Sequence, residues 1–152
     1  MQANGQANGI AQAVLFSFLL ILVSVEDVKK REIPPLFCVG VALCALLNFK
    51  AENLLGLGIP MILWITAAWI CPEQLGGGDI KLTAAVSLVL GFTATAYGVI
   101  LAFSLELAVF IILKHRRKLT KQEAKEFPMP LAPFLTIGFL VTYFMNFGGL
   151  ML

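Results

Sequence analysis

The 152 residues are 59% hydrophobic and only 13% charged, with a net charge of +2 at pH 7 and a mean hydropathy of +0.90. Soluble globular domains carry about 25% charged residues, so this composition excludes one and implies an integral membrane protein. At about 20 residues per spanning helix plus loops, the chain holds at most about six spans and no sizeable soluble domain. One membrane domain over residues 1–152 is expected, with no nucleic-acid partner.

The first apolar run, Ile10 to Val25, has no basic residue before it and reads as a retained span, not a cleaved signal peptide. Glu26 and Asp27 follow it, and Lys29-Lys30-Arg31-Glu32 with Pro34-Pro35 marks the break before the second run, Ile33 to Phe49. Cys38 and Cys44 are six apart, which is not a metal-ligand spacing, and with Cys71 they read as ordinary core material. Lys50-Ala51-Glu52-Asn53 leads to the third run, Leu54 to Cys71, where Trp69 is placed to anchor at the interface and Trp64 is ordinary membrane-helix composition. Pro72-Glu73-Gln74-Leu75 and Gly76-Gly77-Gly78-Asp79 precede the fourth run, Ile80 to about Thr95, and the fifth, Ala96 to Leu113. No charge divides these two, but a single 34-residue span is too long for a bilayer, which predicts a tight turn near Gly91 to Gly98. A polar segment from Lys114 to Pro130 precedes the sixth run, Leu131 to Leu150. Its basic residues read as an anionic-lipid contact, and His115 among them as part of a solvated face.

The expected fold is therefore all-α and polytopic, with about six transmembrane helices. Under that reading Lys29, Lys30, Arg31, Lys81, Lys114, Arg116, Arg117, Lys118, Lys121 and Lys125 fall on one side and only Lys50 on the other. Basic residues accumulate in cytoplasmic loops, so both termini are expected outside. Asp27 then closes helix one and Asp79 opens helix four, at the same cytoplasmic depth.

Two carboxylates brought together in a partly dehydrated site cannot comfortably both ionise, so one keeps a proton while the other stays charged. That is the equipment of an aspartic protease. The glycines before Asp79 would let a polypeptide approach the backbone closely and would permit strained backbone angles beside the carboxylate. Each aspartate also has an ordinary explanation: Asp79 as a helix N-cap, and Asp27 as a surface acid paired with Lys30 or Arg31. The shared depth and the glycines favour the site. Glu26 points about 100° away from Asp27 on a helix and cannot share its partner. Glu106 falls near the middle of the fifth run, at a depth well below the aspartates, and reads as protonated or hydrogen-bonded to another helix, a structural polar contact in preference to a direct catalytic part.

Asp27-Val28-Lys29-Lys30-Arg31-Glu32-Ile33-Pro34 resembles the first-aspartate motif of the bacterial type IV prepilin peptidases, and Gly76-Gly77-Gly78-Asp79-Ile80-Lys81-Leu82 resembles their GxGD motif, shared with other intramembrane aspartic proteases. Met129-Pro130-Leu131-Ala132-Pro133-Phe134-Leu135 is similar to a third element, a proline-rich lead-in to the last helix. Pro35 departs from the Asn usual after Ile-Pro. The larger members carry a cytoplasmic domain with Cys-x-x-Cys zinc ligands and an N-methyltransferase activity. No such pair occurs here, so the resemblance is to the short, peptidase-only members, such as those of the Flp/Tad pilus systems.

The resemblance implies cleavage of the leader peptide from a prepilin or pseudopilin, with Asp27 and Asp79 catalytic. Gly76, Gly77, Gly78, Lys81, Pro34, Pro130 and Pro133 would shape the site or bind substrate. No metal or cofactor is implied, and the partners are the substrate and the bilayer of the bacterial inner membrane. The sequence sets no oligomeric state. Two other readings remain: a transporter or assembly subunit using the acids as a proton or ion site, and a GxGD protease cutting within membrane helices.

Overall fold

The computed structural model describes residues 2–30, 32–69, 76–117 and 130–147. Met1, Arg31, Cys71, the Pro72 to Leu75 break, Lys118 to Met129 and the last run beyond Phe147 lie outside the described residues. Among the described residues every regular element is a helix and there is no strand.

Helix α1 (Gln2–Lys30) extends beyond the predicted run at both ends. Pro34, in extended conformation at φ −60° and ψ 131°, turns the chain into α2 (Pro35–Cys44). Pro35 suits the first helical position, since the N–H it lacks would have no acceptor there. A 3-10 turn, Ala45–Asn48, completes the second run, and a 3-10 stretch, Ala51–Leu57, leads into α3 (Gly58–Trp69). Helices α4 (Gly77–Arg117) and α5 (Ala132–Phe147) follow. Among the described residues three helical stretches are long and apolar enough to cross a membrane: Ala7–Lys30, Ala51–Trp69 and Gly77–Arg116. Pro35–Asn48 and Ala132–Asn146 are shorter apolar helices.

The long helix α4 is broken at Gly91, where φ is 78° and ψ is −176°. Its two limbs, 77–90 and 92–117, correspond to the fourth and fifth predicted runs. The turn is narrower than the sequence predicted, because residues 92–98 are helical. Asn53 supplies the reason. Its side-chain amide donates to the carbonyls of Leu88 at 2.9 Å and Val89 at 3.0 Å, pairing groups left bare where the first limb ends. A Cβ on Gly91 would lie 2.8 Å from Asn53 Oδ1, so both the positive φ and the lack of space call for glycine.

Phe16, Leu20 and Val23 of α1, Leu82 and Val86 of the first limb, and Leu135 and Phe139 of α5 meet in one buried core. The second limb and α5 run antiparallel at close range: a Cβ on Gly98 would meet Phe139 and Thr142, and one on Gly138 would meet the Gly98 carbonyl and Ala102. Small residues permit such close approach between membrane helices. Several buried polar side chains in this interior bond to backbone, as when Thr136 donates to the Leu20 carbonyl at 3.1 Å and Gln12 to that of Cys44 at 2.9 Å. Large apolar side chains such as Ile10, Phe18, Trp64, Leu107 and Ile111 face outward, the arrangement a lipid solvent favours.

Candidate active site

Asp27 occupies the last turn of α1 and is only 8% exposed. Its neighbour Glu26 takes Lys30 as an ion-pair partner at 3.1 Å, so the pairing that could have explained Asp27 away belongs to Glu26. Asp27 turns inward instead, and its Oδ2 accepts the backbone N–H of Ala132 at 3.2 Å. Ala132 opens α5, where a first-turn amide has no acceptor in its own helix and the helix end carries partial positive charge. The Leu131 carbonyl starts that helix by accepting from Phe134 at 3.0 Å and Leu135 at 3.1 Å. Pro133 fits this first turn without sacrificing a bonded N–H. Pro130 and Pro133 thus flank the amide that meets Asp27.

Asp79 lies in the first turn of α4, not at its N-cap, since its own N–H donates to the Gly76 carbonyl at 3.1 Å. One carboxyl oxygen, Oδ1, is buried with no hydrogen-bond partner among the described residues. Asp79 therefore does not follow its ordinary explanation, and among the described residues Asp27 does not pair with Lys30; Arg31, the other partner considered for it, lies outside them. The glycines act differently from expectation as well. Among the described residues only Gly91 has a positive φ, so Gly76, Gly77 and Gly78 contribute space and not strained angles. A Cβ on Gly76 would lie 2.9 Å from Asp79 Oδ2, and one on Gly78 would lie 3.0 Å from Ile33 Cβ, whereas one on Gly77 would meet nothing within 4 Å.

Asp27, Asp79, the three glycines and Lys81 line one cavity of about 320 Å³. Glu32 and Ile33, from the link between α1 and α2, complete the lining. Pro34 follows Ile33 but stays outside the lining, and Pro130 and Pro133 reach the site only through Ala132. Asp79 lies within electrostatic reach of Asp27 and also of Glu106. The sharp turn at Gly91 starts the second limb at residue 92 and not near 96, so the step in depth between Glu106 and Asp79 is smaller than the sequence reading expected. Among the described residues Glu106 has no hydrogen-bond partner on another helix. Cys38, buried on α2, is within electrostatic reach of Asp79 and Lys81 but does not line the cavity.

Sequence reasoning missed the Ala132 amide, Ile33 and Glu32 as lining groups, and the electrostatic reach of Glu106 to Asp79. The prolines around Ala132 were the available signal for the first, because they mark a helix start and hence unpaired donors. No group of three or more His, Cys, Asp or Glu among the described residues is arranged to hold a metal ion. Two carboxyls facing one cavity can divide proton donation and acceptance between them.

Residues 14–112 match the type IV leader peptidase family. Over 138 residues the chain is 31% identical to the prepilin leader peptidase/N-methyltransferase of Bacillus subtilis (strain 168), covering 86% of this chain and 54% of that protein. The chain thus spans about half the length of the curated relative it matches. No solved structure matches it. The family match takes in α1 from its middle through Asp27, the cavity-lining glycines, Asp79 and both limbs of α4, and the chain belongs to the type IV leader peptidase family.

Proposed function

We propose that this protein is a membrane aspartic endopeptidase that removes the leader peptide of prepilins or pseudopilins at the cytoplasmic face of the bacterial inner membrane. The observation that carries the reading is the meeting of Asp27 and Asp79 in one cavity, in a chain of this family. In this mechanism the ionised member of the pair takes a proton from water, and the protonated member donates to the scissile carbonyl oxygen. Gly76 and Gly78 keep the carboxylate wall free of side chains, Gly77 leaves room for the substrate strand, and Lys81 and Glu32 face the same space. Pro130 and Pro133 set the start of α5, whose first amide steadies Asp27.

The proposed topology has six spans, counting the two limbs of α4 separately, with both termini outside, and forms a single membrane-embedded domain. The bias of basic residues supports it. The N-methyltransferase named for the relative is not carried over. The 152 residues contain no Cys-x-x-Cys pair, and α1 joins α2 through residues 31–34 alone, without an inserted domain.

Co-expression with a candidate prepilin, followed by mass measurement of the product, tests the reading. A product shortened by its leader is expected from the wild type and not from Asp27→Asn or Asp79→Asn. Intact prepilin with the wild type, or a cut deep inside the apolar helix, overturns it.

A further inference from the structure

A second cavity, of about 130 Å³, opens at the Gly91 end of the bundle. Asp79 lines the first cavity and Leu90 the second, eleven residues apart on one helical limb and so roughly 16 Å apart by the helical rise. Six of the eight residues lining the second cavity are polar: Gln12 of α1, Asn48 and Lys50 at the end of the second run, Asn53, and Tyr143 and Asn146 of α5. Three of them are committed to the fold. Asn53 donates to the Leu88 and Val89 carbonyls, Gln12 to that of Cys44, and Tyr143 to Gln12. Asn48, Lys50 and Asn146 are exposed and have no hydrogen-bond or ion-pair partner among the described residues. The committed groups form a fixed polar wall, and the other three place an ammonium and two carboxamides at its mouth. No acid lines the cavity, and Glu52 on the same link stays outside it, so Lys50 sets its charge. The complement is an anion, which an ammonium and amide N–H groups can all bind as donors.

Size and surroundings narrow the ligand. Sites for whole small molecules run to ~300–1,000 Å³, whereas this one has the volume of about four waters at ~30 Å³ each. It accommodates one charged group, with the rest of the ligand outside. Along the chain, the exposed side chains of Leu46, Phe49, Leu54 and Leu55 alternate with Asn48, Lys50 and Asn53. A phosphate attached to hydrocarbon satisfies both features, the anion in the recess and the chains against the apolar rim. Under the proposed topology Lys50 is also the lone basic residue on its side, against the bias that orients membrane proteins.

We propose that this cavity binds the phosphate headgroup of an anionic phospholipid from the membrane leaflet opposite the aspartates, with Lys50 as charge partner and Asn48 and Asn146 as donors. The bound lipid bridges the link before α3 to the end of α5, because Lys50 and Asn146 line one recess. Binding does not depend on cleavage, so it is tested without substrate.

The experiment is native mass spectrometry beside thermal unfolding of purified full-length protein in nonionic detergent, titrated with phosphatidylglycerol, phosphatidylcholine or inorganic phosphate. The variants are Lys50→Gln, Asn48→Leu and Asn146→Leu, with Lys29→Gln as a control that removes one positive charge elsewhere. The wild type is expected to retain phosphatidylglycerol in preference to phosphatidylcholine and to melt higher with it. Lys50→Gln should weaken retention about fivefold or more and abolish the gain in melting temperature, whereas each Asn→Leu variant should weaken retention about threefold. Lys29→Gln should match the wild type. Equal retention of the two lipids, or a Lys50→Gln variant indistinguishable from Lys29→Gln, would overturn the proposal. Displacement of the Lys50-dependent lipid by millimolar inorganic phosphate would make this a site for a soluble anion and overturn the lipid assignment. So would failure of all three cavity variants to accumulate as folded protein, since it would give these side chains a structural role.

Discussion

The two ends of the helical bundle bury different kinds of polar group. At the Gly91 end, the amide side chains are matched to bare backbone or to a hydroxyl, although the buried Thr95 hydroxyl has no partner among the described residues: Asn53 clasps the Leu88 and Val89 carbonyls, and Gln12 donates to the Cys44 carbonyl while accepting from the Tyr143 hydroxyl at 3.5 Å. At the aspartate end, Asp79 Oδ1 is buried without a partner among the described residues, Asp27 has a single backbone donor, and Glu106 lies within electrostatic reach of Asp79. Satisfied groups hold a membrane fold together, whereas an ionisable group left unsatisfied in an apolar setting points to chemistry. The unpartnered hydroxyls of Ser17 and Thr95 lie elsewhere, so it is the carboxyl chemistry, and not the missing partner alone, that marks the aspartate end.

The comparison breaks most directly at the aspartates. Asp27→Asn and Asp79→Asn should each lower cleavage by about 10²–10⁴-fold or more while leaving the protein folded, because each removes one member of a proton-sharing unit. The double variant should resemble either single, since such losses are not additive. Cleavage assays beside thermal unfolding separate the two effects, and the wild type should show a bell-shaped pH profile with two apparent values that belong to the pair. Substantial cleavage by either single variant would end the aspartic mechanism.

A smaller and graded effect is expected at the glycines. Gly76→Val drives its side chain against the Asp79 carboxylate, and Gly78→Val drives its own against Ile33. Both should depress cleavage well beyond any loss of folded protein. Gly77→Ala should keep the fold unchanged, its Cβ entering open space, so a cleavage defect there would report contact with substrate. Equal tolerance at all three positions would reduce the segment to a linker.

At the opposite end the expected loss is one of stability. Gly91→Ala forces a side chain into a positive-φ position beside Asn53, and Asn53→Ala uncovers two carbonyls; each should cost about 1–3 kcal/mol. Melting followed by circular dichroism in detergent should detect it, with specific activity per folded molecule retained. A selective loss of activity would mean that the two ends are coupled. The smallest expected effect is none: a chelator should leave cleavage unchanged, because in the proposed mechanism the carboxyls activate the water, and inhibition reversed by added metal would contradict that.

The aspartates were legible in the sequence because each stands at the edge of an apolar run, and the division of α4 was legible because the bilayer limits helix length. The place of the turn was not. It depends on Asn53, far away in the chain, whose amide reaches carbonyls that no local pattern identifies. The expected depth of Glu106 depended on that turn, since shifting a turn by a few residues shifts the whole limb beyond it. The Ala132 amide escaped notice for another reason: a backbone donor has no letter of its own, and only the prolines around it hint that it is unpaired.

The Asn53 clasp also bears on the order of assembly. Asn53 is synthesised before the long apolar helix, so the group that closes the hairpin at Gly91 is already available when that helix emerges. The two limbs can fold back on each other as they enter the bilayer, without exposing the carbonyls of Leu88 and Val89 to lipid while a later segment is made.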